Sequence, residues 1–231
     1  MVVPTPDPTR DLNGRFAAWS PRTIVHWLYA HYDPATVTLA CSFGLEDVLL
    51  VHWACEATAH PDVFYLDTGL LFPETYALIE EVRRRYPVRL RRVAPSLTLP
   101  AQAAQYGPAL WERDPDHCCR LRKVEPVTDA LAGYAVWITG IRRDQTPARR
   151  QAPWAQWDPA AERLKVNPLL AWSWEQVHAA VKTLGIPYNP LHDAGYPSVG
   201  CWPCTRAVRP GEDPRAGRWP GFGKTECGIH A

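Results

Sequence analysis

Two neighbouring cysteines, Cys118 and Cys119, are answered far downstream by Cys201-Trp202-Pro203-Cys204. If those four thiols share one centre, the chain has to bring two distant segments together, which constrains the fold more than any local pattern. A fifth cysteine, Cys227, stands apart in the run Lys224-Thr225-Glu226-Cys227-Gly228-Ile229-His230. Four thiolates close a metal or iron–sulfur site, and the fifth is left beside a lysine and a histidine, as a nucleophile would be. A lone C-x-x-C leaves zinc, a redox pair and an iron–sulfur ligand open. The tandem pair is more restrictive. Adjacent residues on a helix or strand point in different directions, so both thiolates reach one small ion only with difficulty, whereas a cubane accepts ligands on two corners. A structural zinc site with four cysteine ligands is the rival reading. Cys41, in a strand, and Cys55, in an apolar helix, read as packing residues.

The cysteines number seven, and an odd count argues against a closed disulfide framework. The N-terminal run Met1 to Pro8 has neither the basic start nor the apolar stretch of a signal peptide. No apolar run reaches the length of a membrane span. The chain therefore reads as cytoplasmic, with no membrane partner, where thiols stay reduced and clustered cysteines mean metal or redox chemistry. Its 25 basic and 24 acidic residues leave a net charge of +1. Charge thus calls for no nucleic-acid partner, and any anion site has to come from local placement. Most of the basic residues are arginine, whose planar fork holds phosphate or sulfate in two-point contacts. A length of 231 residues and 46% hydrophobic content suit one compact domain with a tail, and leave self-association open.

Along the chain, β-prone runs alternate with helical ones. Strands are predicted over 37–41, 63–66, 88–93 and 134–139, with helices over 46–53, 73–85 and about 117–131. Ser20-Pro21 caps an earlier helix, and Ser173-Trp174-Glu175-Gln176 is a capping box for a later one ending at Gly185. The alternation predicts an α/β fold, an open, mostly parallel sheet flanked by helices. Residues 1–15 read as a Pro-rich disordered lead, 16–208 as the α/β domain, and 209–231 as a C-terminal arm carrying Cys227. The stretch 210–223 is rich in Pro and Gly, so that arm is expected to be flexible. Ligands in such sheets sit beyond the carboxyl ends of the strands, and the loops at Ser42, Asp67 and Gly140 each follow a strand.

Cys41-Ser42-Phe43-Gly44-Leu45-Glu46-Asp47 is a strand-to-helix turn in which small residues let backbone approach an anion at a helix N-terminus. It lacks the glycines and lysine of a Walker loop, and most such turns bind nothing. Leu66-Asp67-Thr68-Gly69 is equally weak alone, but two such turns in consecutive units raise the odds of a nucleotide pocket. Gly140-Ile141-Arg142-Arg143-Asp144-Gln145, with Arg149-Arg150 behind it, reads as an anion site or, about equally, as a solvated loop. The same two readings hold for Arg206, Arg209, Arg215 and Arg218. Lys224 and His230 flank Cys227 and would favour its thiolate.

Together these stretches resemble the sulfonucleotide reductase family, specifically the assimilatory adenylyl-sulfate reductases. The resemblance rests on SFGLED at 42–47, LDTG at 66–69, CCRLRK at 118–123, GIRRDQ at 140–145, GCWPCTR at 200–206 and KTECGIH at 224–230. It covers about residue 36 to the end; the cysteine stretches and ECGIH are its specific part. It implies a fold like the adenine-nucleotide alpha-hydrolases of the ATP-pyrophosphatase type, and a [4Fe–4S] cluster on Cys118, Cys119, Cys201 and Cys204. It implies adenosine 5′-phosphosulfate (APS) as substrate and AMP as product, with the 3′-phosphorylated nucleotide (PAPS), or both, as the alternative. Cys227 is then the nucleophile that becomes an S-sulfocysteine, Lys123 offsets charge between cluster and sulfate, and His230 joins them in the catalytic set. Ser42, Phe43, Gly44, Leu66 and Gly140 match the nucleotide pocket. Arg150, Arg215 and Arg218 match positions that bind the phosphosulfate, and Arg142 joins them from the loop after Gly140. The chain ends just past His230, so a thioredoxin or glutaredoxin-like reductant is expected in trans.

Overall fold

The computed structural model describes residues 9–230, and its frame is a six-stranded sheet. In chain order the strands are β1 (Val37–Ala40), β2 (Asp62–Leu66), β3 (Arg89–Val93), β4 (Val136–Ile138), β5 (Ala155–Asp158) and β6 (Arg163–Val166). They lie in the order β3-β2-β1-β4-β6-β5. Every neighbouring pair is parallel except β5, which runs antiparallel to β6 at the edge. The expected open, mostly parallel sheet is borne out. The β5–β6 hairpin was not foreseen from sequence.

Side chains on a strand alternate between faces, and here the alternation separates two cores. Val37, Leu39, Val63, Tyr65, Val136 and Ile138 point into the larger one. Phe64 and Trp137 point the other way, into a thinner layer with Val127, Ala130 and Leu131. Burial on both faces is why the central strands read as short continuous apolar runs. Four helices lead the chain: α1 (Arg10–Ala18), α2 (Pro21–His31), α3 (Leu45–Ala57) and α4 (Pro73–Arg85). On the larger core α2 packs against α3, and α3 against the helix Trp174–Thr183. Caps start these helices where the sequence places them. Ser20 Oγ accepts from Thr23 N at 3.1 Å, and the capping box at Ser173 is formed by both of its hydrogen bonds.

Three expectations need correction. A disordered lead through residue 15 does not hold over 10–15, which belong to α1; residues 1–8 of that expected lead lie outside the described residues. Phe16 is fully buried, and the Asn13 amide bonds both main-chain groups of Ala155 on edge strand β5, at 2.8 and 3.0 Å. The helix expected over about 117–131 runs unbroken over 115–130 and needs correcting only in its middle, where Arg120–Val124 is a π-helical turn between Pro115–Cys119 and Glu125–Ala130. The stretch expected to be flexible from residue 210 folds back on the second cysteine pair. Gly217 O accepts from Arg206 N at 2.9 Å, Cys204 O accepts from Trp219 N at 2.9 Å, and Trp219 is 2% exposed. An apolar ring of that size holds the loop against the core despite its Pro and Gly content.

From β1 the chain crosses through α3 to β2 on one side, and β4 pairs on the other side of β1. The loops after β1 and β4 therefore flank a topological switch point, where open α/β sheets hold ligands.

Candidate active site

The loop after β1 is built around Asp47, on the first turn of α3. One carboxylate oxygen, Oδ2, accepts from both the N–H and the hydroxyl of Ser42, each at 2.6 Å. Burial pushes the Asp47 carboxyl up to about 6, against the lowering effect of those two bonds. Phe43 takes a left-handed conformation, φ 63°, which costs a non-glycine residue of order 1 kcal/mol or more. Its ring is buried against Tyr65. The loop after β4 closes over the same carboxylate: a Cβ on Gly140 would lie 2.2 Å from Asp47 Oδ1, so only glycine fits. Arg142 sits behind it, 4% exposed, bonded to Glu46 at 2.8 Å and also to Asp144. In the loop after β2, Asp67 is occupied structurally. Burial would raise its pKa, but Tyr76, the Gly69 N–H and Arg92 together hold it below the usual carboxylate range.

The two cysteine segments meet beside that third loop. Asp114 caps the helix Pro115–Cys119 by accepting from His117 N at 2.9 Å. Cys201 bridges to Leu71, and its sulfur lies 3.3 Å from Thr68 Oγ1. Cys118, Cys119, Cys201 and Cys204 are each 6–8% exposed, and Cys119, Cys201 and Cys204 share one apolar cluster with Leu70 and Trp219. Burial, then mutual repulsion, pushes Cys204 up to about 12 and Cys118 up to about 11. Among the described residues no three His, Cys, Asp or Glu side chains converge closely enough to hold a single metal ion. Four buried thiols from two distant segments are the donor chemistry that a thiolate-ligated metal or iron–sulfur centre uses. Cys41 is buried as expected, and Cys55 is half-buried.

Between the loops and the cysteines lies a cavity of about 300 Å³, at the small end of the range for ligand pockets. Ser42, Phe43, Gly44, Leu66 and Gly140 all line it, as do Lys123, Arg215, Arg218, Cys227 and His230. Lys123 is drawn down by burial, but the thiols of Cys201, Cys227 and Cys119 outweigh this and raise its pKa. Arg215 is pushed down to about 10, by burial first and then by Arg218 and Arg149. The Nε atoms of Arg215 and Arg218 are buried with no hydrogen-bond partner. Unpaired buried donors on two adjacent cations call for an anion.

The C-terminal segment is docked onto this cavity. Lys224 pairs with Asp116, and Glu226 with Arg149 and Thr146. Ile229 packs on the thinner core. The His230 ring stacks on Trp137 at 5.5 Å, 18° from parallel. Burial, with Lys165, Arg149 and Arg215 nearby, drives the His230 pKa far down.

Of the substrate-binding residues that the resemblance implied, Arg150 lies outside the cavity and Arg142 is otherwise engaged, and the further candidates Arg143, Arg206 and Arg209 do not line it either. Arg150 is exposed and does not line the cavity; Arg149, the last residue of a 3-10 turn, does. Arg142 lines the cavity but is tied up by Glu46 and Asp144. Sequence reasoning assigned no role to Asp47 or Glu226, although both lay inside quoted stretches. Each is identified by a partner, Ser42 for one and Arg149 for the other, that only the fold reveals.

The model of the phosphoadenosine phosphosulfate reductase domain matches residues 36–207. A protein of Oceanobacillus iheyensis named adenosine 5′-phosphosulfate reductase is 45% identical over 90% of this chain and 86% of its own. One of Gloeobacter violaceus named phosphoadenosine 5′-phosphosulfate reductase is 48% identical over 84% of this chain and 82% of its own. Among solved structures, the phosphoadenylyl-sulfate reductase of Candida auris in a phosphate complex superimposes with a TM-score of 0.74. It is 26% identical, and the match covers 90% of this chain and 99% of that one. The expected adenine-nucleotide alpha-hydrolase-like fold is borne out.

Proposed function

Because this chain belongs to the phosphoadenosine phosphosulfate reductase domain family, we propose that it reduces APS to sulfite and AMP. The observation that carries the proposal is that Cys227 lines the same cavity as Lys123, Arg215 and Arg218, with a buried unpaired Nε on each arginine. The Cys227 thiolate attacks the sulfate sulfur, the bond from that sulfur to the phosphate oxygen breaks, and AMP leaves. Cys227 then carries an S-sulfo group. A thiolate of a thioredoxin-like dithiol attacks the cysteine sulfur and expels sulfite, forming a mixed disulfide. The partner's second thiol resolves it, so the dithiol supplies the two electrons and Cys227 returns to its thiolate.

Arg215 and Arg218 grip the phosphosulfate, and Lys123 offsets charge as it nears the cysteines. The backbone at Ser42, Phe43, Gly44 and Gly140, with Leu66, frames the nucleotide. His230, neutral and stacked on Trp137, anchors the tail and belongs to the catalytic set through that placement. Cys118, Cys119, Cys201 and Cys204 would hold a [4Fe–4S] cluster. When bound, it ties the two cysteine segments together and sets the local charge. The chemistry suits a reducing compartment such as the cytoplasm; no helix among the described residues is long and apolar enough to cross a membrane.

Intact mass and peptide mapping after anaerobic, reductant-free incubation with APS test the proposal. One SO3 group is expected on Cys227, and none on Cys227→Ser, which should still bind AMP. No adduct on protein of confirmed iron and sulfide content would overturn it. The Gloeobacter violaceus relative favours a second reading, in which PAPS is the substrate or an additional one. The same incubation with PAPS, compared at steady state, separates the two.

A further inference from the structure

Glu226 immediately precedes the proposed nucleophile. Arg149 holds its carboxylate through two bonds, Nε to Oε1 at 2.7 Å and Nη2 to Oε2 at 2.6 Å. Thr146 Oγ1, on a side chain that is itself buried, donates a third to Oε1 at 2.7 Å. The last guanidinium nitrogen, Nη1, donates to Gln145, which donates in turn to Glu46 at 3.0 Å. The two side chains are 11% and 25% exposed, so salt screens their attraction only weakly, and the bidentate geometry fixes direction as well as distance. Arg215 and Arg218 differ, each keeping a buried donor unpaired. Of the four arginines that line the cavity, Arg215 and Arg218 still offer a donor, Arg142 is held by Glu46 and Asp144, and Arg149 has all three nitrogens engaged.

We propose that Arg149 and Glu226 form a positioning pair: Arg149 acts through Glu226 to seat the tail with Cys227 facing the cavity, and does not contact the substrate anion. The inference rests on the reading of Cys227 as the sulfate-accepting nucleophile. One residue separates the fixed carboxylate from Gly228, which turns the chain at φ 91° against Val124. Beyond the turn, Ile229 and His230 are anchored on the thinner core and on Trp137. The thiol is therefore held between two anchors, the condition under which a bimolecular attack becomes effectively unimolecular.

The test uses cluster-loaded protein as wild type, Glu226→Gln, Arg149→Gln, the double variant and Glu226→Asp. Single-turnover sulfonation of Cys227 at saturating APS gives the rate; APS affinity is measured for each change on a Cys227→Ser background. Each single substitution is expected to slow sulfonation by about 10²-fold, the scale of a small misplacement of a reacting group. APS affinity should stay within about twofold. The double variant should be no slower than the worse single, because both act on one interaction, and Glu226→Asp should recover part of the rate. Mapped alkylation of Cys227 by iodoacetamide, which needs no turnover, should be faster in the Gln variants. A loss of APS affinity in Arg149→Gln, with Glu226→Gln at the wild-type rate, would hand Arg149 to the substrate and overturn the proposal. Additive losses in the double variant would overturn it too. Wild-type protein that forms no adduct would instead defeat the functional reading, while the alkylation rates would still decide for or against the pair.

Discussion

Asp47 shows what one buried carboxyl does to an anion loop. By accepting from both the N–H and the hydroxyl of Ser42, it turns that hydroxyl toward protein and leaves the loop's free backbone to face a ligand. The proton matters as much as the geometry. Burial raises the Asp47 pKa from 3.8 to about 6, so the folded protein keeps a proton that the unfolded chain releases near pH 4. Between those values the folded state binds more protons, and stability falls as pH rises through the window. A gap of about two units amounts to roughly 3 kcal/mol at most. Asp47→Asn has no such proton to lose. Relative to wild type, its thermal midpoint should improve steadily from about pH 4 to about pH 6.5 and level off above. A difference independent of pH would show that the Asp47 proton plays no part in stability.

At the scale of the element, Arg122 is the joint between the cysteine helix and the sheet. From the π-helical turn it donates to Thr68 O at 2.6 Å, to Gln102 Oε1 at 3.0 Å and to Leu97 O at 3.2 Å. Arg122→Met should keep the packing volume yet leave those acceptors unpaired, lowering stability by about 2–4 kcal/mol, or roughly 5–15 °C in a chain of this size. Differential scanning calorimetry checks it; a drop under 2 °C would mean that solvent replaces the lost donors. The sequence carried no sign of this joint, because π turns differ from α turns in hydrogen-bond register and not in composition. Other elements were plain. The bounds expected for α4 match Pro73–Arg85, and the loops expected after three strands, at Ser42, Asp67 and Gly140, do border the cavity. The β5–β6 hairpin escaped because its strands are four residues long, with Gln156, Trp157 and Asp158 exposed. The choice between Arg149 and Arg150 was undecidable from neighbours alone; a single 3-10 turn settles which one faces inward. The pairing of Arg149 with Glu226 spans 77 residues and leaves no local pattern at all.

For the whole molecule, the residues after Cys204 do two separable things. The part through Trp219 seals the second cysteine pair and brings Arg215 and Arg218 to the cavity, while Lys224 to His230 docks on that cavity. If the four cysteines hold the proposed cluster, ending the chain after Gly223 should preserve its iron and move the thermal midpoint by only a few degrees. Ending it after Arg209 removes Trp219 and should cost both. Iron analysis and thermal unfolding of the two truncations check this, and equal behaviour would contradict the division. The docked segment also touches indole rings at both ends. His230 stacks on Trp137, and the Lys224 ammonium lies 5.3 Å from the Trp219 ring. If the tail leaves its dock to meet the proposed reductant, two of the eleven tryptophans lose a charged or aromatic neighbour at once. The protein thus carries a built-in optical probe: intrinsic emission, followed in a stopped-flow instrument, would time each departure and return of the nucleophile without a label.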